Sequence, residues 1–157
     1  YFAKLLPETA SLIRTAREVN DGKVDHVIAQ ATALIEANPG KSVGLLGLAF
    51  KANIDDFRES PAKKVAAALA HKFGNRVHVV EPYAAALPNE FDGSGAGLTD
   101  IDSALLDCDI LIPLVDHDAF KAIPLAERSA KLVYDTRGIW PDQPAATSHS
   151  VPLRLVG

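Results

Sequence analysis

Gly44-Leu45-Leu46-Gly47-Leu48-Ala49-Phe50-Lys51-Ala52-Asn53-Ile54-Asp55-Asp56-Phe57-Arg58-Glu59-Ser60-Pro61 joins an apolar run, a charged loop and a helix start. Residues 43–50 are uncharged and lie between Lys41 and Lys51, the pattern of a strand buried on both faces of a parallel sheet. Ser60-Pro61 reads as an N-cap followed by proline at the first helical position, where the ring's fixed φ suits the helix and its missing N–H is not needed. The loop between them carries Lys51, Asp55, Asp56 and Arg58. Open α/β sheets receive anionic ligands in such loops, between a strand's carboxyl end and a helix N-terminus, because free N–H groups and the helix dipole converge there.

Outward from this stretch, strand and helix patterns alternate. Strands are predicted over residues 42–48, 77–80, 110–115 and 132–134. The helix after Ser60 shows Ala62, Val65, Ala66, Leu69 and Phe73 on one face and ends at Gly74. One helical turn is expected over residues 83–87, a loop over the glycine cluster 89–97, and a short helix to Leu106 capped by Thr99 with Asp102. Pro124 should break the helix over residues 118–128. The tail from about residue 141 reads as irregular. This order predicts an α/β fold with a mostly parallel sheet covered on both faces.

Before the first strand, Leu12, Ile13, Ala16, Val19, Val27, Ile28, Ala31, Leu34 and Ile35 recur at helical spacing. They predict a helical arm that Asn38-Pro39-Gly40 ends. Gly22 costs about 1 kcal/mol relative to alanine in a helix and marks a place for a kink. The arm is expected to lie outside the sheet domain. Its apolar stripe then either folds back on that domain or meets another domain or subunit. Residues 1–40 are thus read as a helical linking and dimerisation segment, and 41–157 as the α/β domain.

Composition narrows the function. The net charge of −4 argues against a nucleic-acid surface, which needs a basic face. No apolar run approaches the ~20 residues that span a bilayer. The single cysteine excludes an internal disulfide and is consistent with a cytoplasmic protein. The chain starts at Tyr1 without a methionine anywhere, as expected of a segment from a longer protein.

Several residues could carry chemistry. Lys51, past the end of the first strand, offers a mobile positive charge to a phosphate; equally, Lys51 and Arg58 could be solvated, with Asp55 and Asp56 pairing with Arg58. Gly44-x-x-Gly47 falls short of a dinucleotide fingerprint, since twelve residues separate Gly47 from Ser60. Glu81 ends the second strand where a ribose-binding acid would sit, although the turn at Pro82 explains it as well. Arg137 follows the fourth predicted strand at the same sheet edge as Lys51, and its planar fork suits a phosphate. Trp140 reads as a cover for the sheet end. Asp116-His117-Asp118 reads as a hydrogen-bonded loop rather than an acid/base or metal cluster. Cys108, between two acids, reads as a small core hydrophobe.

The run from Gly47 to Ala62 resembles the C-terminal nucleotide-sugar-binding domain of the UDP-glucose/GDP-mannose dehydrogenase family, nearest its UDP-N-acetyl-D-mannosamine branch. Leu12-Ile13-Arg14-Thr15-Ala16-Arg17-Glu18-Val19-Asn20-Asp21, Val79-Val80-Glu81-Pro82 and Leu114-Val115-Asp116-His117 agree with it. The resemblance implies a Rossmann-like three-layer domain. It implies that Phe50, Lys51 and Arg137 bind a UDP-sugar. Arg58 would reach an NAD cofactor held mainly by an amino-terminal domain, with Asp55, Asp56 and Glu59 orienting it. It further implies a homodimer through the helical segment. The whole enzyme would oxidise a C6 alcohol to a carboxylate in two successive hydride transfers, through a thiohemiacetal on a cysteine that lies before Tyr1. The chain alone is therefore expected to be inactive.

Overall fold

The computed structural model describes residues 7–143, with side chains from residue 22 onward. The chain begins with helix α1 (Pro7–Glu36), continuous through Gly22. Five parallel strands follow: β1 (Val43–Leu46), β2 (Val77–Val80), β3 (Gly97–Thr99), β4 (Ile110–Pro113) and β5 (Leu132–Val133). Between them run α2 (Pro61–Phe73), α3 (Ile101–Asp107), α4 (Asp118–Lys121) and α5 (Leu125–Arg128). The order across the sheet is β3-β2-β1-β4-β5. The chain leaves β1 toward one edge, then returns to β4 on the other side of β1. The carboxyl ends of β1 and β4 thus form a topological switch point, the place where wound sheets hold ligands.

The alternation of side chains along each strand makes two cores. Val43, Leu45, Val77, Val79, Ile110 and Ile112 point to one face, under α2 and the second half of α1. Leu46, Val80 and Leu111 point to the other, against Ala104, Cys108, Phe120, Ile123 and Trp140. Each fully buried aliphatic side chain contributes roughly 1.5–3 kcal/mol, so strands this short are stabilised mainly by what covers them.

The arm is only partly an appendage. Val27, Ala31, Leu34 and Ile35 are buried in the first core, so its last turns pack on the sheet domain. Arg76 reinforces the join. Its guanidinium donates to the carbonyls of Lys41 (2.9 Å) and Asn38 (3.0 Å), just past the end of α1. The expected stripe at Leu12, Ile13, Ala16 and Val19 lies outside the described side chains, and the tail beyond residue 143 lies outside the described residues.

Other differences are local. Residues 83–87 form turns, and the single-turn helix comes later, as a 3₁₀ turn at Asn89–Phe91. The glycine-rich loop ends in β3, an edge strand paired with β2. The cap of α3 is Asp100 rather than Thr99; its carboxylate accepts from Ser103 N at 2.7 Å. Pro124 splits α4 from α5 as expected.

Candidate functional site at the carboxyl edge of the sheet

The loop from β1 to α2 is fastened at both ends. Gly47 N donates to Val80 O (2.8 Å). The amides of Leu48 (2.8 Å) and Ala49 (3.2 Å) both donate to Glu81 Oε1. At the far end Ser60, fully buried, donates its hydroxyl to Ala49 O (3.1 Å) and accepts from Lys63 N (3.3 Å). One side chain thus caps α2 and closes the loop on its own start. Phe50 N donates to Asp56 O (2.9 Å), giving a narrow lobe.

That lobe displays the residues singled out in the sequence. Phe50 is 52% exposed, unusual for a large aromatic, and Lys51 is exposed beside it. The Arg58 side chain is 88% exposed while bidentate to Asp56 (3.1 and 3.2 Å). The side-chain and backbone bonds from Arg58 hold the Asp56 carboxyl below its usual range. Asn53 (φ 63°) and Glu59 (φ 50°) both adopt the left-handed region, which asparagine tolerates better than most residues.

Arg137 leaves the same edge after β5. Asp135 organises its turn: Oδ1 accepts from the amides of Arg137 (3.1 Å), Gly138 (2.7 Å) and Ile139 (3.2 Å), and Oδ2 from Trp140 (2.8 Å). Thr136 Oγ1 donates to Pro113 O (2.6 Å), tying the turn to β4. The Arg137 guanidinium lies 3.7 Å from Asp116, both partly exposed. Asp116 adjoins His117, and His117 contacts Asn53 at 2.7 Å. A continuous chain of contacts therefore connects the Lys51 lobe to the Arg137 turn.

At the centre, Glu81 and His117 form a buried pair, 3% and 0% exposed. His117 Nδ1 accepts from Asn53 N (2.7 Å), so its proton sits on Nε2, which donates to Glu81 Oε1 at 3.0 Å. Glu81 Oε2 accepts from Tyr83 N (3.1 Å). Burial pushes the Glu81 carboxyl up, but the bonds from His117, Leu48 and Tyr83 together outweigh it, and it ends below the usual value. With both oxygens engaged inside the protein, Glu81 is not free for a ribose. That engagement and the long β1–α2 loop both speak against a dinucleotide site built by this chain alone. Asp116 and His117 lie in a hydrogen-bonded loop that leads into α4 at Asp118. Cys108 is buried, and burial chiefly pushes its thiol up to about 11, which makes it a poor nucleophile. Trp140 covers the second core and donates Nε1–H to Phe120 O (2.9 Å).

Among the described residues, no group of three metal-ligating side chains gathers, and no helix is long and apolar enough to cross a membrane. Sequence reasoning missed Asp135 and the pairing of Glu81 with His117. Asp135 carried no signal beyond lying in a turn with Gly138, and the Glu81–His117 pair spans 36 residues.

Residues 44–142 match the UDP-glucose/GDP-mannose dehydrogenase family, UDP binding domain, and the chain belongs to that family. Among its relatives it is 46% identical, over 142 residues, to the UDP-N-acetyl-D-mannosamine dehydrogenase of Salmonella typhimurium, a match covering 85% of this chain and 34% of that protein. It is 40% identical, over 134 residues, to the NDP-N-acetyl-D-galactosaminuronic acid dehydrogenase of Ralstonia solanacearum, covering 85% and 31%. The chain spans about a third of the length of these relatives. Its fold is similar to the UDP-N-acetyl-mannosamine dehydrogenase of S. aureus (TM-score 0.66, 26% identity, 98% of this chain and 35% of that one). The GDP-mannose dehydrogenase of Pseudomonas aeruginosa is also similar (TM-score 0.62, 25% identity, 90% and 32%).

Proposed function

We propose that this chain is the UDP-sugar-binding portion of an NAD-dependent UDP-N-acetyl-D-mannosamine 6-dehydrogenase, which yields the uronate. Phe50, Lys51 and Arg137 hold the nucleotide sugar, and Arg58 reaches toward NAD held mainly by another domain. The observation that carries the reading is the presentation of Lys51, Arg58 and Arg137 on the one sheet edge that contains the switch point. Lys51 supplies a point charge to the diphosphate, and Arg137 a planar fork for phosphate or the uracil carbonyl. The exposed Phe50 ring supplies an apolar wall.

The domain's contribution to catalysis is orientation. Gripping the UDP handle fixes a carbon many bonds away, so binding energy remote from the reaction becomes rate. NAD, when bound, accepts hydride; of this chain's residues only Arg58 reaches toward it, and the rest of its site belongs to another domain. With Cys108 inert, the nucleophilic cysteine comes from another part of the enzyme, and the isolated chain is inactive. The enzyme works in the cytoplasm as a homodimer that uses the helical segment. The Ralstonia relative favours a second reading of the sugar alone, an N-acetyl-galactosamine-type substrate, with the same UDP grip.

Calorimetry of the full-length protein with UDP, with and without Lys51→Ala, tests the reading. UDP binding that Lys51→Ala weakens supports it. NAD binding by this chain alone, helical arm included, without UDP binding overturns it.

A further inference from the structure

We propose that His117 is a positioning residue for the nucleotide-sugar site, setting the height and angle of the Lys51 lobe from inside the protein. This rests on the reading of the carboxyl edge as the UDP site.

The span from Ala49 to Asn53 carries Phe50 and Lys51, and both of its ends hang on one buried unit. Ala49 N is held by Glu81 Oε1 (3.2 Å), and Asn53 N by His117 Nδ1 (2.7 Å). The same Glu81 oxygen receives His117 Nε2–H at 3.0 Å. The imidazole is therefore a rigid spacer between the carboxylate at the end of β2 and the tip of the lobe. The rings of Tyr83 (ring centroids 5.1 Å apart, tilted 51°) and Phe120 (5.2 Å, 59°) pack against it. Asn53 completes the clamp. Its left-handed backbone turns the side chain back, and Oδ1 accepts from Asp118 N at 3.0 Å. Asp116, the neighbour of His117, lies against Arg137, so the segment that holds the lysine lobe also touches the arginine turn.

A purely structural His117 and a positioning His117 make opposite predictions for two conservative variants. In His117→Asn, the side-chain oxygen falls near the position of Nδ1; it keeps the acceptor for Asn53 N–H but leaves buried Glu81 without its ring donor. In His117→Gln, the side-chain amide falls near Nε2; it keeps the donor to Glu81 but releases Asn53. A structural role makes His117→Asn the more damaging change, because an unpaired buried carboxylate costs more than a partly exposed amide that water can reach. A positioning role makes His117→Gln the more damaging for ligand, because the lobe loses its tether.

The experiment measures UDP affinity by calorimetry and Tm for wild type, both variants and Lys51→Ala in the full-length protein. His117→Gln is expected to weaken UDP roughly tenfold, the scale of one lost hydrogen bond, while keeping the higher Tm of the pair. His117→Asn is expected to keep affinity within about threefold at a lower Tm. Affinity that follows Tm, or is equal in the two variants, overturns the positioning role. If that occurs while Lys51→Ala still weakens UDP, the positioning role alone falls; if Lys51→Ala has no effect, the UDP site falls with it. Should both variants fail to fold, ¹⁵N spectra of the wild-type imidazole decide: an Nε2–H tautomer supports the proposal, and an Nδ1–H tautomer ends it.

Discussion

Gly47 and Val115 meet where β1 and β4 part. A Cβ at Gly47 would lie 2.6 Å from Val115 Cβ and 3.2 Å from its backbone nitrogen, and Gly47 has φ 104°. Two exits from the sheet cross there with no room for a side chain, at the base of the Lys51 lobe. Gly47→Ala therefore meets both a backbone penalty and an overlap that rotamer changes cannot relieve. It should destabilise the domain by about 2 kcal/mol or more, read as a lower denaturant midpoint with unchanged slope.

Ser60→Ala removes the α2 cap and the hydroxyl that Ala49 O accepts. The expected loss is about 1–2 kcal/mol. Ser60→Thr should recover part of the cap and not all of the stability, because Ser60 is fully buried. Thermal melts of the two variants check this.

Lys51→Ala and Arg137→Ala should scarcely move Tm, since Lys51 is exposed and Arg137 makes only a half-exposed pair with Asp116. Each should weaken UDP by roughly ten- to a hundredfold, the range of a charge-assisted contact, with a shallower salt dependence than wild type. A Tm loss without an affinity loss would remove these residues from the site.

Acid sensitivity should trace to Glu81. Its carboxyl lies below the ordinary value of 4.5 in the folded protein, so the unfolded chain takes up a proton first as pH falls. The stabilisation is fully present above the ordinary value and is lost as pH drops from about 4.5 through the folded value. Glu81→Gln should cost about 3 kcal/mol near neutrality, and its Tm should converge on that of wild type as the pH is lowered through that window. A gap that stays constant with pH would show that the charge is irrelevant.

Cys108 should react slowly with iodoacetamide in the native protein, because the thiol is buried and pushed up to about 11. Labelling should follow global unfolding, and a fast native reaction at neutral pH would contradict its place in the second core.

Local signals made most of the architecture legible. The uncharged run at residues 43–50, the Ser60-Pro61 start and the Gly74 stop each depend on neighbours within a few positions. So does Pro124, which splits α4 from α5. β3 was hidden because a three-residue edge strand of Gly97, Leu98 and Thr99 has no pattern of its own and exists through pairing with β2. The site divides the same way. Lys51, Arg58 and Arg137 stand out as charges after strands, whereas the Glu81–His117–Asn53 clamp depends on three segments brought together by the sheet. Gly22 misled because its cost of about 1 kcal/mol is smaller than what the flanking turns of a 30-residue helix supply.

The grip of Arg76 on the carbonyls of Asn38 and Lys41 removes a joint where the sequence suggests one. With Val27, Ala31, Leu34 and Ile35 sunk into the first core, the turn after α1 is held to the sheet from both sides of the chain reversal. The 30-residue helix is thus fastened beside the start of β2, the strand that leads into Glu81.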